Sequence, residues 1–163
     1  MKQGDRLMTI ISVVAIGVIL QILLLFADNP NTPAKTAVAF TKAYFNLEPS
    51  MTDYLCSDYS GNGEPDIVSE YLTQVATDAK MGGFDFDYMR SKLYAVHTEI
   101  ISQDSSEAEV HITAQRKRNI NPIFTLVGKF FFIGETYMVD ETLKLVKEDG
   151  QWKVCDRAFS LKV

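Results

Sequence analysis

Residues 135–159 read ETYMVDETLKLVKEDGQWKVCDRAF, two runs of alternating apolar and polar side chains set around Glu148-Asp149-Gly150. A period of two is the pattern of a half-buried strand, and Asp-Gly between two such runs is a strong short-range hairpin signal. Working outward, LYAVHTEII at 93–101 alternates too, with Tyr94, Val96, Thr98 and Ile100 opposite Leu93, Ala95, His97, Glu99 and Ile101. The turn QDSSE then leads to a run with Ala108, Val110, Ile112 and Ala114 on one side. These runs predict about four antiparallel strands.

Before Asp87 the period is three and four. Thr32 is placed to cap a helix with Pro33 in its first turn, and Ala37, Phe40, Tyr44 and Leu47 recur along one face. Pro49-Ser50 breaks it, and Ser50 with Asp53 three residues later predicts a short second helix turning Met51, Tyr54 and Leu55 inward. Asp66 opens a third, whose Ile67, Val68, Tyr71, Leu72, Val75, Ala76 and Ala79 form a stripe stopped by Gly82-Gly83. Three helices followed by strands, without alternation, define an α+β domain with helices on one face of an antiparallel sheet.

Ahead of that domain, LMTIISVVAIGVILQILLLFA at 7–27 carries no charge. Roughly 20 apolar residues are what a helix needs to cross a hydrocarbon core about 30 Å thick. Lys2 and Arg6 precede the stretch and Asp28 follows it, which predicts a cytoplasmic N-terminus at 1–6, a transmembrane helix at 7–27, a tether at 28–33 and a periplasmic domain at 34–163. Leu25-Phe26-Ala27 lacks the small-x-small pattern of a cleaved signal, so the anchor is read as uncut and the location as a bacterial inner membrane. Gln21 is the one strongly polar residue within the span, suited to an interhelical hydrogen bond or to the outer interface.

The chain has 163 residues with 16 basic and 21 acidic side chains. Only Lys2, Arg6 and Asp5 lie before position 28, so the remainder holds 14 basic and 20 acidic residues, a net charge of −6. An acidic domain argues against nucleic acid as a partner. Cys56 and Cys155 form neither a Cys-x-x-Cys nor a haem-attachment motif; in an oxidising compartment they are candidates for a disulfide closing a long loop.

The helix, break and helix of AVAFTKAYFNLEPSMTDYLCSD (37–58) and the closing hairpin LKLVKEDGQWKVCDRAF (143–159), with Trp152 just after its turn, resemble the nuclear transport factor 2-like superfamily in its membrane-anchored bacterial form. The resemblance spans most of 33–160 and implies a cone-like domain, a curved sheet wrapped around a long helix. Members include isomerases, dehydratases, small-ligand binders and anchored scaffold components of envelope complexes, so the fold alone does not choose a function.

A catalytic reading needs polar groups converging in the cavity between sheet and helices. Tyr94, His97 and Asp140 are the candidates, whereas His111 shares its face with Glu109, Thr113 and Gln115 and reads as solvated. They lack a recognisable motif, and no catalytic residue is assigned. Asp58, Ser60, Asn62 and Gly63 copy the first half of a calcium loop, but the acidic residue that should close it falls one position late at Glu70, so the segment reads as a turn and no metal or cofactor is expected.

The most unusual stretch is QRKRNINPIFTLVGKFFFIG at 115–134. Arg116, Lys117 and Arg118 precede Ile123, Phe124, Leu126, Phe130, Phe131 and Phe132, apolar on both faces if extended. A sheet covered by helices on one side has no use for a second apolar face, and basic residues beside aromatics suit a lipid headgroup layer. The expected partners are therefore the lipid bilayer, other integral membrane subunits and a second copy of the chain. The sequence is read as a non-catalytic accessory or scaffold subunit that assembles or stabilises a membrane complex from its periplasmic face, with a tethered small-ligand-binding or isomerase-like domain as the alternative.

Overall fold

A computed structural model describes residues 11–21, 31–59, 67–118 and 136–156. The chain divides into two compact units, 1–30 and 31–163. In the first, residues 11–21 form helix α1, with exposed side chains throughout. Among the described residues no helix is long and apolar enough to cross a membrane; the expected span 7–27 extends past α1 at both ends, outside the described residues.

The second unit is an α+β domain: α2 (Pro33–Phe45), a 3-10 helix (Pro49–Tyr54), α3 (Ile67–Met81), a short α4 (Phe86–Met89), then strands β1 (Ser91–Gln103), β2 (Glu107–Arg118), β3 (Thr136–Glu148) and β4 (Gln151–Val154). The strands pair antiparallel in the order β1-β2-β3-β4 as a curved sheet.

Thr32 caps α2 by accepting from the Lys35 N–H, and Pro33 occupies the first turn, where its missing donor costs nothing. Ahead of the cap, the Asn31 side chain donates to the Gly150 carbonyl and accepts from the Trp152 N–H of the closing hairpin. The second helix is displaced by a residue or two. Glu48 rather than Ser50 stands at its N-cap, and the Ser50 hydroxyl donates to the Glu48 carboxylate, so the capping box is not formed. Asp66 lies outside the described residues. The Gly82-Gly83 stop is built as expected, with Gly83 at φ +74° and the Phe84 N–H returning to the Ala79 carbonyl.

The core lies between α2 and one sheet face. Ala108, Val110, Ile112 and Ala114 of β2 meet Leu143 and Leu145 of β3, Val154 of β4, and Ala37 and Phe40 of α2. Thr41, fully buried, is satisfied because its hydroxyl donates to the Ala37 carbonyl.

Strand β1 departs from simple alternation. Tyr94 pairs with Gln115 and His97 with Thr113, so two residues, Ala95 and Val96, oppose one, and Ala95 takes φ +47°. The extra residue is a bulge, and it reverses the facing of the residues after it until a second shift, between Ile100 and Ser102, restores it. Tyr94 and His97, expected on opposite faces, therefore share one. The two sheet edges also differ. Beside β4, Leu55 forms a parallel bridge to Val154, the Cys56 N–H donates to the Val154 carbonyl, and Ser57 bonds the Glu148 carboxylate through both N–H and hydroxyl. A disulfide joins Cys56 to Cys155, with Cα atoms 5.2 Å apart. Beyond β1 no further strand pairs among the described residues.

Candidate functional site

Three places in the fold carry chemistry or contact potential: the polar outer face of the sheet, a cation and tyrosine cluster on its helix side, and the open β1 edge.

On the outer face the bulge brings Tyr94, His97 and Asp140 together in one layer, with Thr113 paired to both His97 and Asp140. That face is turned away from the buried side chains of β2, so these residues stand in solvent and not in a cavity between sheet and helices. His111, set aside as solvated, is the residue that partners Asp140: its Nε2 is 3.4 Å from Oδ1, and its Nδ1 is 3.3 Å from the Thr142 hydroxyl. The Asp140 side chain is 72% exposed. A pair so wet has the energetics of a surface ion pair, at most about 1 kcal/mol, and no wall that would tune it for proton transfer. Lys144 and Glu109, 3.8 Å apart, extend the same polar row.

The basic run does not form one continuous patch, because consecutive strand residues point to opposite faces. Arg116 follows Ala108, Val110, Ile112 and Ala114 onto the helix side, and its guanidinium carbon sits 5.1 Å from the Phe45 ring centre and 5.2 Å from that of Tyr137, its partner in register. Lys117 turns to the outer face, 5.9 Å from the Tyr94 ring centre, and Arg118 lies 5.0 Å from Tyr88 on α4. Each cation rests on an aromatic ring of its own domain, an arrangement worth about 0.5–2 kcal/mol depending on desolvation.

Beside Arg116, α2 contributes Tyr44 and α3 contributes Tyr71, stacked with ring centres 5.0 Å apart. Burial pushes both phenols above the ordinary tyrosine range; their hydroxyls hydrogen-bond to each other, and the Arg116 charge opposes the shift in both. The Arg116 Nε is buried without a hydrogen-bond partner among the described residues. Sequence reasoning placed Tyr44 and Tyr71 in apolar stripes and overlooked their hydroxyls. The available signal was the even-numbered position of Arg116 in a strand whose preceding even positions are all core.

At the open edge, β1 is exposed along most of its length, with Tyr94 50%, Ile100 44% and Ile101 56% accessible. Gln21 is the last described residue of α1 and is exposed; Ile123, Phe124, Leu126, Phe130, Phe131 and Phe132 lie outside the described residues. Cys56, Asp58 and Cys155 bring their donor atoms within 4.8 Å of one another, but the disulfide leaves no thiolate for a metal. Ser60, Asn62 and Gly63 of the calcium-like segment lie outside the described residues. A groove of about 690 Å³ runs along α3, lined by Val68, Leu72, Phe86 and Lys80 and by Thr73 and Thr77, whose hydroxyls donate to carbonyls of their own helix.

No protein-family model and no curated protein matches the sequence. Among solved structures, the chain is similar to an NTF-2 like protein of unknown function from Shewanella oneidensis MR-1, at 15% identity and a TM-score of 0.42, over 76% of this chain and 94% of that one. A likeness of that size decides neither family nor function. What defines the class here is the domain itself: helices on one face of a curved four-stranded antiparallel sheet.

Proposed function

We propose that this chain is a non-catalytic accessory or scaffold subunit, anchored through 7–27 in a bacterial inner membrane, with the domain from 34 onward on the periplasmic side, where it stabilises a multi-subunit membrane complex. The observation that carries the reading is the unequal treatment of the two sheet edges. A bridge from Leu55, a backbone bond from Cys56 and a disulfide cover the β4 edge at Val154, whereas the β1 strand, 13 residues long, pairs with no further strand among the described residues and exposes Tyr94, Ile100 and Ile101. Long open edges are templates for pairing with another chain, and soluble proteins blunt them with charges, bulges or covering elements. Here two bulges, at Ala95–Val96 and at Ile101, and the charges of Lys92 and Glu99 blunt only part of the strand. The uncharged stretch around α1 and the aromatic run 123–132 supply further apolar contact, in lipid and above it. Cofactors have no role in this reading.

The test is gentle detergent extraction of the full chain from its native membrane, followed by identification of what copurifies. Ile101→Glu and Phe130→Glu are expected to leave the chain in the membrane fraction and its thermal midpoint within a few degrees, while partners are lost. Retention of every partner by both variants, or recovery of the unmodified chain alone, would refute the scaffold assignment.

A further inference from the structure

We infer, resting on the scaffold reading above, that a partner docks by laying an extended segment along Ser91 to Tyr94 at the start of β1. Its acidic side chains face the outer side of the sheet, and its apolar ones enter a cleft between α2 and the strand. That cleft has a volume of about 500 Å³ and lies between Ala39, Lys42 and Ala43 of α2, Tyr54 of the 3-10 helix, and the first residues of β1, Ser91 to Tyr94. Consecutive strand residues face opposite ways, so a cleft lined by all of them in a row runs along the backbone edge and not over one face. In an antiparallel pair every second residue turns its N–H and C=O away from its neighbour. No further strand among the described residues takes those groups from β1. The cleft therefore opens onto an unpaired ladder, which an extended peptide can complete.

Charge selects the occupant. Leu93 pairs with Arg116 on the helix side, so Lys92 and its register partner Lys117 stand together on the outer face. Like charges directly opposite each other on a sheet repel. Lys117 rests over the Tyr94 ring, whereas Lys92 has no ion pair or ring contact among the described residues. A carboxylate on an added strand would stand opposite Lys92 at cross-strand distance and offset that repulsion. Lys42, exposed at the cleft, likewise has no ion pair among the described residues, and Glu48, the one carboxylate of the lining, already accepts from Asn46 and Ser50. In a domain of net charge −6, this is a local excess of cations that fits an acidic partner. Neighbours of that acid point the other way, into the cleft toward Ala39, Ala43 and Leu93, which suit aliphatic side chains. The bulge at Ala95 ends the docking stretch after Tyr94. So short a pairing binds weakly alone and gains strength when both chains are held in one membrane.

The experiment is a titration of the full chain in uncharged detergent micelles, read by its amide NMR shifts, with the capped peptide acetyl-Val-Glu-Val-Glu-Val-amide. Comparison probes are the same peptide with lysine in place of glutamate and the glutamate peptide N-methylated throughout. Saturable shifts at Ser91 to Tyr94 are expected, with a Kd of about 1 mM or tighter. The N-methylated peptide is expected to bind at least about tenfold more weakly, because it lacks the ladder donors. The lysine peptide is expected to bind about fivefold more weakly, and Lys92→Glu, a change at an exposed position, to reverse that preference. Ala39→Phe, which fills the cleft, is expected to weaken both peptides alike. Absence of saturable shifts at Ser91 to Tyr94 up to about 5 mM overturns the inference. So do equal affinities for the N-methylated and unmethylated peptides, an unchanged preference in Lys92→Glu, or a peptide-sensitive dimer, which would make a second copy the occupant. Copurification is a separate readout: partners retained by a chain that does not bind the peptide leave the scaffold reading standing and remove this mode of docking.

Discussion

Tyr44 and Tyr71 show how the environment of single side chains sets a property of the whole domain. Both phenols titrate above their unfolded value of about 10, chiefly because burial penalises the phenolate. A group raised in the folded state contributes stability fully present below its unfolded pKa, because above that pH the unfolded chain releases a proton the folded one retains. Stability is therefore expected to be flat through neutrality and to fall as pH rises beyond about 10. Urea unfolding of the full chain at a series of alkaline pH values checks this, and the Tyr44→Phe, Tyr71→Phe double variant is expected to lose much of the alkaline decline. A decline of undiminished steepness in that variant places its origin in other groups. The same two residues mark a limit of reading side chains singly: spacing identified them as core, and only the arrival of Arg116 from a distant strand turns the pair into a polar site.

Elements were legible where local chemistry decides them. The hairpin is the clearest case: Glu148 pairs with Gln151, leaving Asp149 at φ +48° and Gly150 at φ +78° as a two-residue turn with both residues left-handed. Gly150→Ala is expected to destabilise the domain by about 1 kcal/mol, since a Cβ is unfavourable at positive φ, while nothing stands within 4 Å of where it would sit. Chemical unfolding measures that loss, and a neutral result would mean that the turn adopts a different type. Strand β1 was legible in extent but not in facing. No glycine announced the bulge; Ala95 takes the left-handed conformation itself, and the cost is borne by pairing on both sides of it. From that one inserted residue follows the difference between a cavity holding Tyr94, His97 and Asp140 and a wet outer face that displays them. The short α4 was hidden for another reason: its four residues are too few for a period to show.

At the scale of the molecule, the Cys56–Cys155 bond spans a sequence separation of 99 and ties the segment after the 3-10 helix to the end of the sheet. A cross-link over so long a loop removes much of the freedom of the unfolded chain, about 4.7 kcal/mol in the chain-entropy account, though measured values scatter over about 2–5 kcal/mol. Its second effect is local. With the bond in place, Leu55, Cys56 and Ser57 are held beside β4 by the bridge to Val154 and the contacts to the Glu148 carboxylate, so the edge is covered at Val154. Without it, only those exposed hydrogen bonds hold the cover down. Reduction, or the Cys56→Ser, Cys155→Ser double variant, is thus expected to lower the unfolding free energy by about 2–5 kcal/mol. It is also expected to expose the Cys56–Ser57 amides to hydrogen exchange ahead of those in β2. Equal unfolding midpoints with and without reductant would show that the thiols are free in the purified chain, and would remove the support that this bond gives to an oxidising compartment for the domain.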